Sequence, residues 1–238
     1  MSDVSSDESF FDFKCPYCGD LNSFPAAAVH TLQECASCSE SIIVPEAGVE
    51  TGGKLPLPLS APRLLLRRFR PDDMGPLLAM AAQDESNSLP VNETNVDQWI
   101  ERQRAARFTR GEYGVYLAIE LAEGQELAGY VLLYYADGTH SNAGFTLTIA
   151  PARRRQGLGL EATRALMDFA FDGLCARRVA VSCPSPNAAA RGMLEKAGLR
   201  LEGEFVKSML DGNEWVNVMW YALLKEERDG RATSGPSS

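Results

Sequence analysis

The chain has 238 residues, 45% of them apolar, and a formal net charge of −9. That length buries one sizeable core and perhaps a small second unit at most, and no apolar run approaches the ~20 residues a membrane-spanning helix needs. Residues 1 to 62 hold nine acids and two lysines, a net of −7, leaving −2 for the rest; so acidic a front unit counts against nucleic acid as a partner.

Met1 to Glu8 is acidic and polar, unlike a secretory leader, so a cytoplasmic protein without membrane partners is the expectation. In that setting six cysteines point to metal rather than to disulfides. Four are paired, Cys15-Pro16-Tyr17-Cys18 and Cys35-Ala36-Ser37-Cys38, with sixteen residues between the pairs. This spacing falls in the range of a four-cysteine zinc site. Each pair supplies two thiolates, and four thiolates complete the tetrahedron that Zn²⁺ prefers, leaving no open position for catalysis. Residues 13–46, with Gly19 and the run Ile42-Ile43-Val44, resemble a zinc ribbon. Two disulfides or a redox pair are the alternatives; zinc is preferred because a segment this short hardly folds without a metal or disulfide. His30 lies outside the pairs and reads as a bystander.

Residues 47–62 are rich in Gly, Pro and Ser and read as a linker stiffened by Pro56 and Pro58. Arg63 to Phe69 then reads as a strand, and Pro71-Asp72-Asp73 as a helix start. The stretch Gln83 to Asn95 carries no recognisable motif. Further on, Phe145-Thr146-Leu147-Thr148-Ile149 alternates as a strand and runs into Arg154-Arg155-Gln156-Gly157-Leu158-Gly159 and a helical stretch. A strand, a basic glycine loop and a helix start offer a pyrophosphate unpaired N–H groups, a favourable helix dipole and positive charge. Gly157 and Gly159 allow close approach. The loop is neither a Walker loop, since no Lys-Ser or Lys-Thr follows, nor the G-x-G-x-x-G of a dinucleotide fold.

Leu166, Phe169, Ala170 and Leu174 share one helical face, and Val179, Val181 and Cys183 alternate as a strand that Pro184-Ser185-Pro186 ends. Asn187 caps another helix, with Ala190, Met193, Leu194 and Ala197 on its buried stripe and Gly198 as its stop. Arg200 to Ser208 and Trp215 to Leu224 form two strands around the turn signal Asp211-Gly212. Asp229 to Ser238 reads as disordered.

The loop at Arg154–Gly159 and the segment from Asn187 to Leu199 resemble the acetyl-CoA elements of the GNAT acetyltransferases, and Arg63–Asp73 resembles the opening of the ribosomal-protein N-acetyltransferase branch. The resemblance implies an α/β fold over residues 63–226, a mixed, mostly antiparallel, splayed sheet flanked by helices, with 227–238 as a tail. It implies acetyl-CoA as co-substrate, with backbone groups of Leu147, Thr148 and Ile149 along the pantetheine arm. Arg154, Arg155, Gln156, Gly157, Leu158 and Gly159 would hold the pyrophosphate, with Asn187 beside the arm. Zn²⁺ is expected at Cys15, Cys18, Cys35 and Cys38.

The implied reaction is acetyl transfer to a primary amine, with a protein N-terminal α-amine favoured. An acyl-CoA-binding protein whose ribbon mediates protein contacts is one alternative, and a polyamine or antibiotic acetyltransferase is another. No catalytic acid or base is identified. Ser182, Leu194 and Gly144 stand where relatives place acidic or tyrosine side chains, and His140 and Glu120 are the remaining candidates for a base. Cys175 and Cys183 read as small apolar core residues, with an acyl relay at Cys183 the lesser reading. Neither the acceptor nor the oligomeric state is legible.

Overall fold

The structure is a computed structural model that describes residues 10–15, 20–29, 31–37, 39, 41–44, 57–83, 89–105, 114–135, 142–174 and 176–233. Two short hairpins open the chain. Strands β1 (Phe10–Lys14) and β2 (Leu21–Pro25) pair antiparallel, as do β3 (Leu32–Glu34) and β4 (Ser41–Ile43). Next come β5 (Leu59–Ser60), β6 (Leu64–Arg67), and the helices α1 (Met74–Ala82) and α2 (Val96–Ala105). The sheet continues with β7 (Val115–Leu121), β8 (Leu127–Tyr135) and β9 (Asn142–Ile149), after which α3 (Leu158–Asp168) leads to β10 (Arg178–Pro184). The chain closes with α4 (Ala188–Lys196), β11 (Arg200–Asp211), β12 (Glu214–Leu224) and α5 (Lys225–Thr233).

Eight strands form one sheet in the order β11-β12-β10-β9-β8-β7-β6-β5. Every pairing is antiparallel except β9 with β10, which is parallel and brief: only Asn142↔Arg178 and Ala143↔Val179 are in register. Beyond those rows β9 continues to Ile149 and β10 to Pro184 without pairing to each other, so the sheet opens into a fork.

Period-two alternation sends the two faces of the sheet into different clusters. Ala143, Phe145, Val179, Val181 and Cys183 pack with Leu158, Ala162 and Leu166 of α3. On the opposite face, Ala118 and Tyr130 pack with Phe69, Leu77 of α1 and Trp99 of α2. At ~25 cal/mol per Å² of apolar surface removed from water, these two clusters supply the main drive for folding.

Three sequence expectations change. The helix expected to run through Leu174 is α-helical only to Asp168, then widens into a π-turn over Phe169–Gly173, where a Cβ on Gly173 would stand 2.6 Å from the Phe169 ring. The segment expected as a tail is helical through Thr233, with Arg228 held by Asp172 at 2.6 Å and stacked over the Phe171 ring. Strand β5 also places Leu59 and Ser60, assigned above to the linker, on the sheet edge. In the front unit Cys15 and Cys35 are buried in one cluster with Phe13, Ala28 and Val44. Cys18, Cys38 and His30 lie outside the described residues, among which no group of three or more metal-ligating side chains assembles. No described helix is long and apolar enough to cross a membrane.

Candidate active site

The fork and the start of α3 meet at one end of the sheet. Ala150 donates to the Ala128 carbonyl on β8 at 2.8 Å, and antiparallel bonding alternates along a strand, so Thr148 and Thr146 also turn their backbone groups toward β8. Leu147 therefore presents its N–H and C=O, and Ile149 its N–H, to the open fork. Thr148, grouped with them from sequence, directs its backbone the other way and contributes a side chain on the α1–α2 face instead.

Past Ile149 the chain makes a 3₁₀ turn over Pro151–Arg153 and a loop with two left-handed residues, Arg155 (φ 62°) and Gly157 (φ 81°). A left-handed arginine costs about 1 kcal/mol, and such residues gather where backbone is shaped for a ligand. Gly157 caps α3, and the first intrahelical bond runs from the Glu161 N–H to its carbonyl at 3.1 Å. The amides of Leu158, Gly159 and Leu160 thus have no partner within the helix, at its electropositive end. A Cβ on Gly159 would lie 3.0 Å from Met193 Sδ and within 4 Å of Leu147 and Ile149, which places the helix start directly against the fork.

The loop is braced from β6, by a residue the sequence reading did not assign to the site. Arg63 donates from its backbone N–H to Glu161 at 2.5 Å, from its guanidinium to Glu161 at 2.8 Å, and to the Gln156 carbonyl at 3.1 Å. Glu161 is separated from it by 98 positions, so no local signal could have linked the two. Arg154 folds back to donate to the Ile149 carbonyl at 3.0 Å, while Arg155 remains exposed. The Asn187 side chain accepts from the Ala190 N–H at 3.0 Å, as a helix cap does.

At the apex of the fork stands Gly144, opposite Tyr134 of β8. A Cβ there would meet the Tyr134 ring at 2.7 Å and the Ala180 carbonyl at 2.9 Å, so the tyrosine occupies the space a longer residue would take. Burial pushes the Tyr134 phenol above its ordinary value, which keeps it neutral near pH 7. Thr146 and Ser182 are exposed on the two arms of the fork, on the face opposite the α3 cluster.

The other expected bases and nucleophiles fall away from this mouth. Glu120 is buried, and its Oε2 accepts from Arg67 Nε at 2.6 Å and Arg70 Nη1 at 3.0 Å, so it is committed to an ion-pair network. Cys183 is buried against the α3 layer and its thiol is pushed up by burial, so it is not a thiolate near neutrality. Leu194 is buried in the same layer, and His140 and Cys175 lie outside the described residues.

Residues 63–200 match the model of the acetyltransferase (GNAT) domain, more than half of the chain. The chain belongs to the GNAT acetyltransferase family. This acetyltransferase is 25% identical over 170 residues to YnaD of Bacillus subtilis, an uncharacterized N-acetyltransferase, covering 71% of this chain and 98% of that one. It is 27% identical over 149 residues to YdaF of the same organism, named as a ribosomal N-acetyltransferase, covering 63% and 77% of the two chains. Among solved structures it is similar to a spermidine N-acetyltransferase from Vibrio cholerae in complex with CoA and spermine. That likeness has TM-score 0.58 and 18% identity, and covers 69% of this chain and 97% of the other. The acetyltransferase is therefore an enzyme that moves an acetyl group from acetyl-CoA to an amine, which disfavours the binding-only alternative.

Proposed function

We propose that the chain acetylates the α-amine at the N-terminus of a protein, holding acetyl-CoA in the fork and acting without a carboxylate base. In this reading the amides from Gln156 to Leu160, with Arg154 and Arg155, hold the diphosphate. Leu147 and Ile149 bond the pantetheine as a neighbouring strand would, one of their N–H groups polarises the thioester carbonyl, and Asn187 borders the arm. The amine nitrogen attacks the carbonyl carbon, the C–N bond forms, the C–S bond breaks, and the amine's proton is lost as the leaving thiolate gains one.

The observation that carries the choice of acceptor is the apex itself. Gly144 and a neutral Tyr134 stand where a carboxylate would serve as base, and Glu120 is locked away. At pH 7 an α-amine near ~7.8 is neutral roughly once in seven molecules, a lysine near ~10.4 roughly once in a few thousand. An apex with no free carboxylate among the described residues favours the first. The similarity to a protein named as a ribosomal N-acetyltransferase supports the same class.

We infer structural zinc in the front unit and a cytoplasmic setting that keeps its thiols reduced. Cys15 and Cys35 follow β1 and β3 at the turns of the two hairpins and share one buried cluster. Asn22 donates to Cys35 Sγ at 3.4 Å and accepts from the Ala36 N–H at 3.1 Å, which suits a charged sulfur. Cys18 and Cys38 would complete the donor set, and the metal's part would be to hold the fold together.

Thiol release from acetyl-CoA tests the acceptor. A peptide with a free N-terminus should be turned over, with kcat/KM rising with pH and levelling above about 8 as the α-amine deprotonates. Preference for spermidine, or for a lysine in an N-terminally blocked peptide, overturns the reading.

A further inference from the structure

We propose that the Trp220 indole N–H selects the acceptor by donating a hydrogen bond to the carbonyl oxygen of its first residue, so that the site reads a peptide N-terminus rather than a bare amine. The proposal rests on the acceptor reading above and goes beyond it by naming the group that discriminates.

Trp220 lies on β12 directly across from Ser182 of β10, and Ala222 lies across from Ala180. Val179, Val181, Met219 and Tyr221 pack into the α3 layer, so Ala180, Ser182, Trp220 and Ala222 face the other way. On β9 the residues of that face are Gly144, Thr146 and Thr148. The mouth of the fork thus has Thr146 on one arm and Ser182 on the other, with Trp220 one strand beyond, ~4.8 Å further along the sheet.

Trp220 Nε1 is buried and has no hydrogen-bond partner among the described residues. A buried N–H left in that state is rare and costs about 1–3 kcal/mol, so it calls for an acceptor. The Phe205 ring of β11 packs tilted against the indole, its centroid 5.7 Å away. An indole N–H only donates. An alkylamine or polyamine offers no carbonyl to receive it, whereas every peptide N-terminus carries one two bonds from the reacting nitrogen. A site with a donor set for that carbonyl favours substrates that carry it.

The test compares the full-length wild-type chain with Trp220→Phe on two acceptors, a peptide with a free N-terminus and a carbonyl-free alkylamine whose basicity matches that of an α-amine. The variant keeps an aromatic ring and removes only the donor. One neutral hydrogen bond corresponds to roughly a 2- to 12-fold change. The expected result is a loss of that size in kcat/KM for the peptide, carried by KM with kcat nearly unchanged, and no loss for the alkylamine. Acetyl-CoA affinity, measured by calorimetry on both proteins, should be equal and so report an intact fold. Equal losses on both acceptors, or no loss on the peptide, overturn the proposal while leaving the acceptor reading in place. Failure of the wild-type chain to acetylate any peptide overturns both together.

Discussion

Glu120 sits mid-sheet with two arginines on one of its oxygens, and Arg67 reaches past it to Asp73 at 2.7 and 2.9 Å. Glu120→Ala leaves Arg67 paired with Asp73 but takes the acceptor from its buried Nε–H, and should therefore destabilise the chain by about 1–3 kcal/mol in denaturant unfolding, without removing turnover from the fraction still folded. Gly144 makes a second prediction at this scale. Gly144→Ala should cost about 1–3 kcal/mol, because the added methyl meets both a ring and a backbone oxygen. Thermal unfolding checks it, and in a Tyr134→Ala background the same substitution should cost less but not nothing, since the Ala180 carbonyl remains. Neither role was legible in the sequence. A glutamate in an apolar run looks the same whether it is a base or an ion-pair partner, and Tyr134 faces Gly144 only through a hairpin register that no local pattern sets.

Among the elements, α3 was the most legible, because its cap, glycines and first-turn acid are all local signals. The brace from Arg63 was not, since it depends on β6 lying beside the start of α3. The π-turn after Asp168 hid behind a continuous apolar face that looks helical at either width. Strand β11 is tied to β10 by Glu202, which pairs with Arg178 and with Arg200 at 2.8 Å. The hydrogen bond from Arg178, and the charge of both arginines, hold the Glu202 carboxyl below its ordinary value. A depressed carboxyl stabilises the fold above its unfolded value near ~4.3, and that stability is lost as pH falls through the folded one. Glu202→Gln should then cost less than ~1 kcal/mol at pH 7, the pair being partly exposed, and nothing in stronger acid. Urea unfolding at the two pH values checks this, and a constant difference would contradict it.

At the scale of the whole molecule, the order of strands and the fork follow from one topological event. After β9 the chain crosses over through α3 and returns parallel, and two in-register rows are all that join the strands before they part. Sequence motifs marked both sides of that crossover, the loop at Arg154–Gly159 and the cap at Asn187, and so located the fork before its geometry was visible. In the proposed reading the acceptor side carries no motif because its walls are single residues on four strands, Tyr134, Thr146, Ser182 and Trp220. Each is ordinary in its own strand and meaningful only in register with the others.

In the proposed site the amides at the start of α3 hold the diphosphate of acetyl-CoA while the fork holds its arm. Calorimetric titration of the full chain with acetyl-CoA and with acetyl-pantetheine, which keeps the thioester but lacks the diphosphate, tests it most directly. The account predicts clear binding of acetyl-CoA and at least tenfold weaker binding of acetyl-pantetheine, or ~1.4 kcal/mol. Equal affinity for the two, or no affinity for acetyl-CoA, would contradict it.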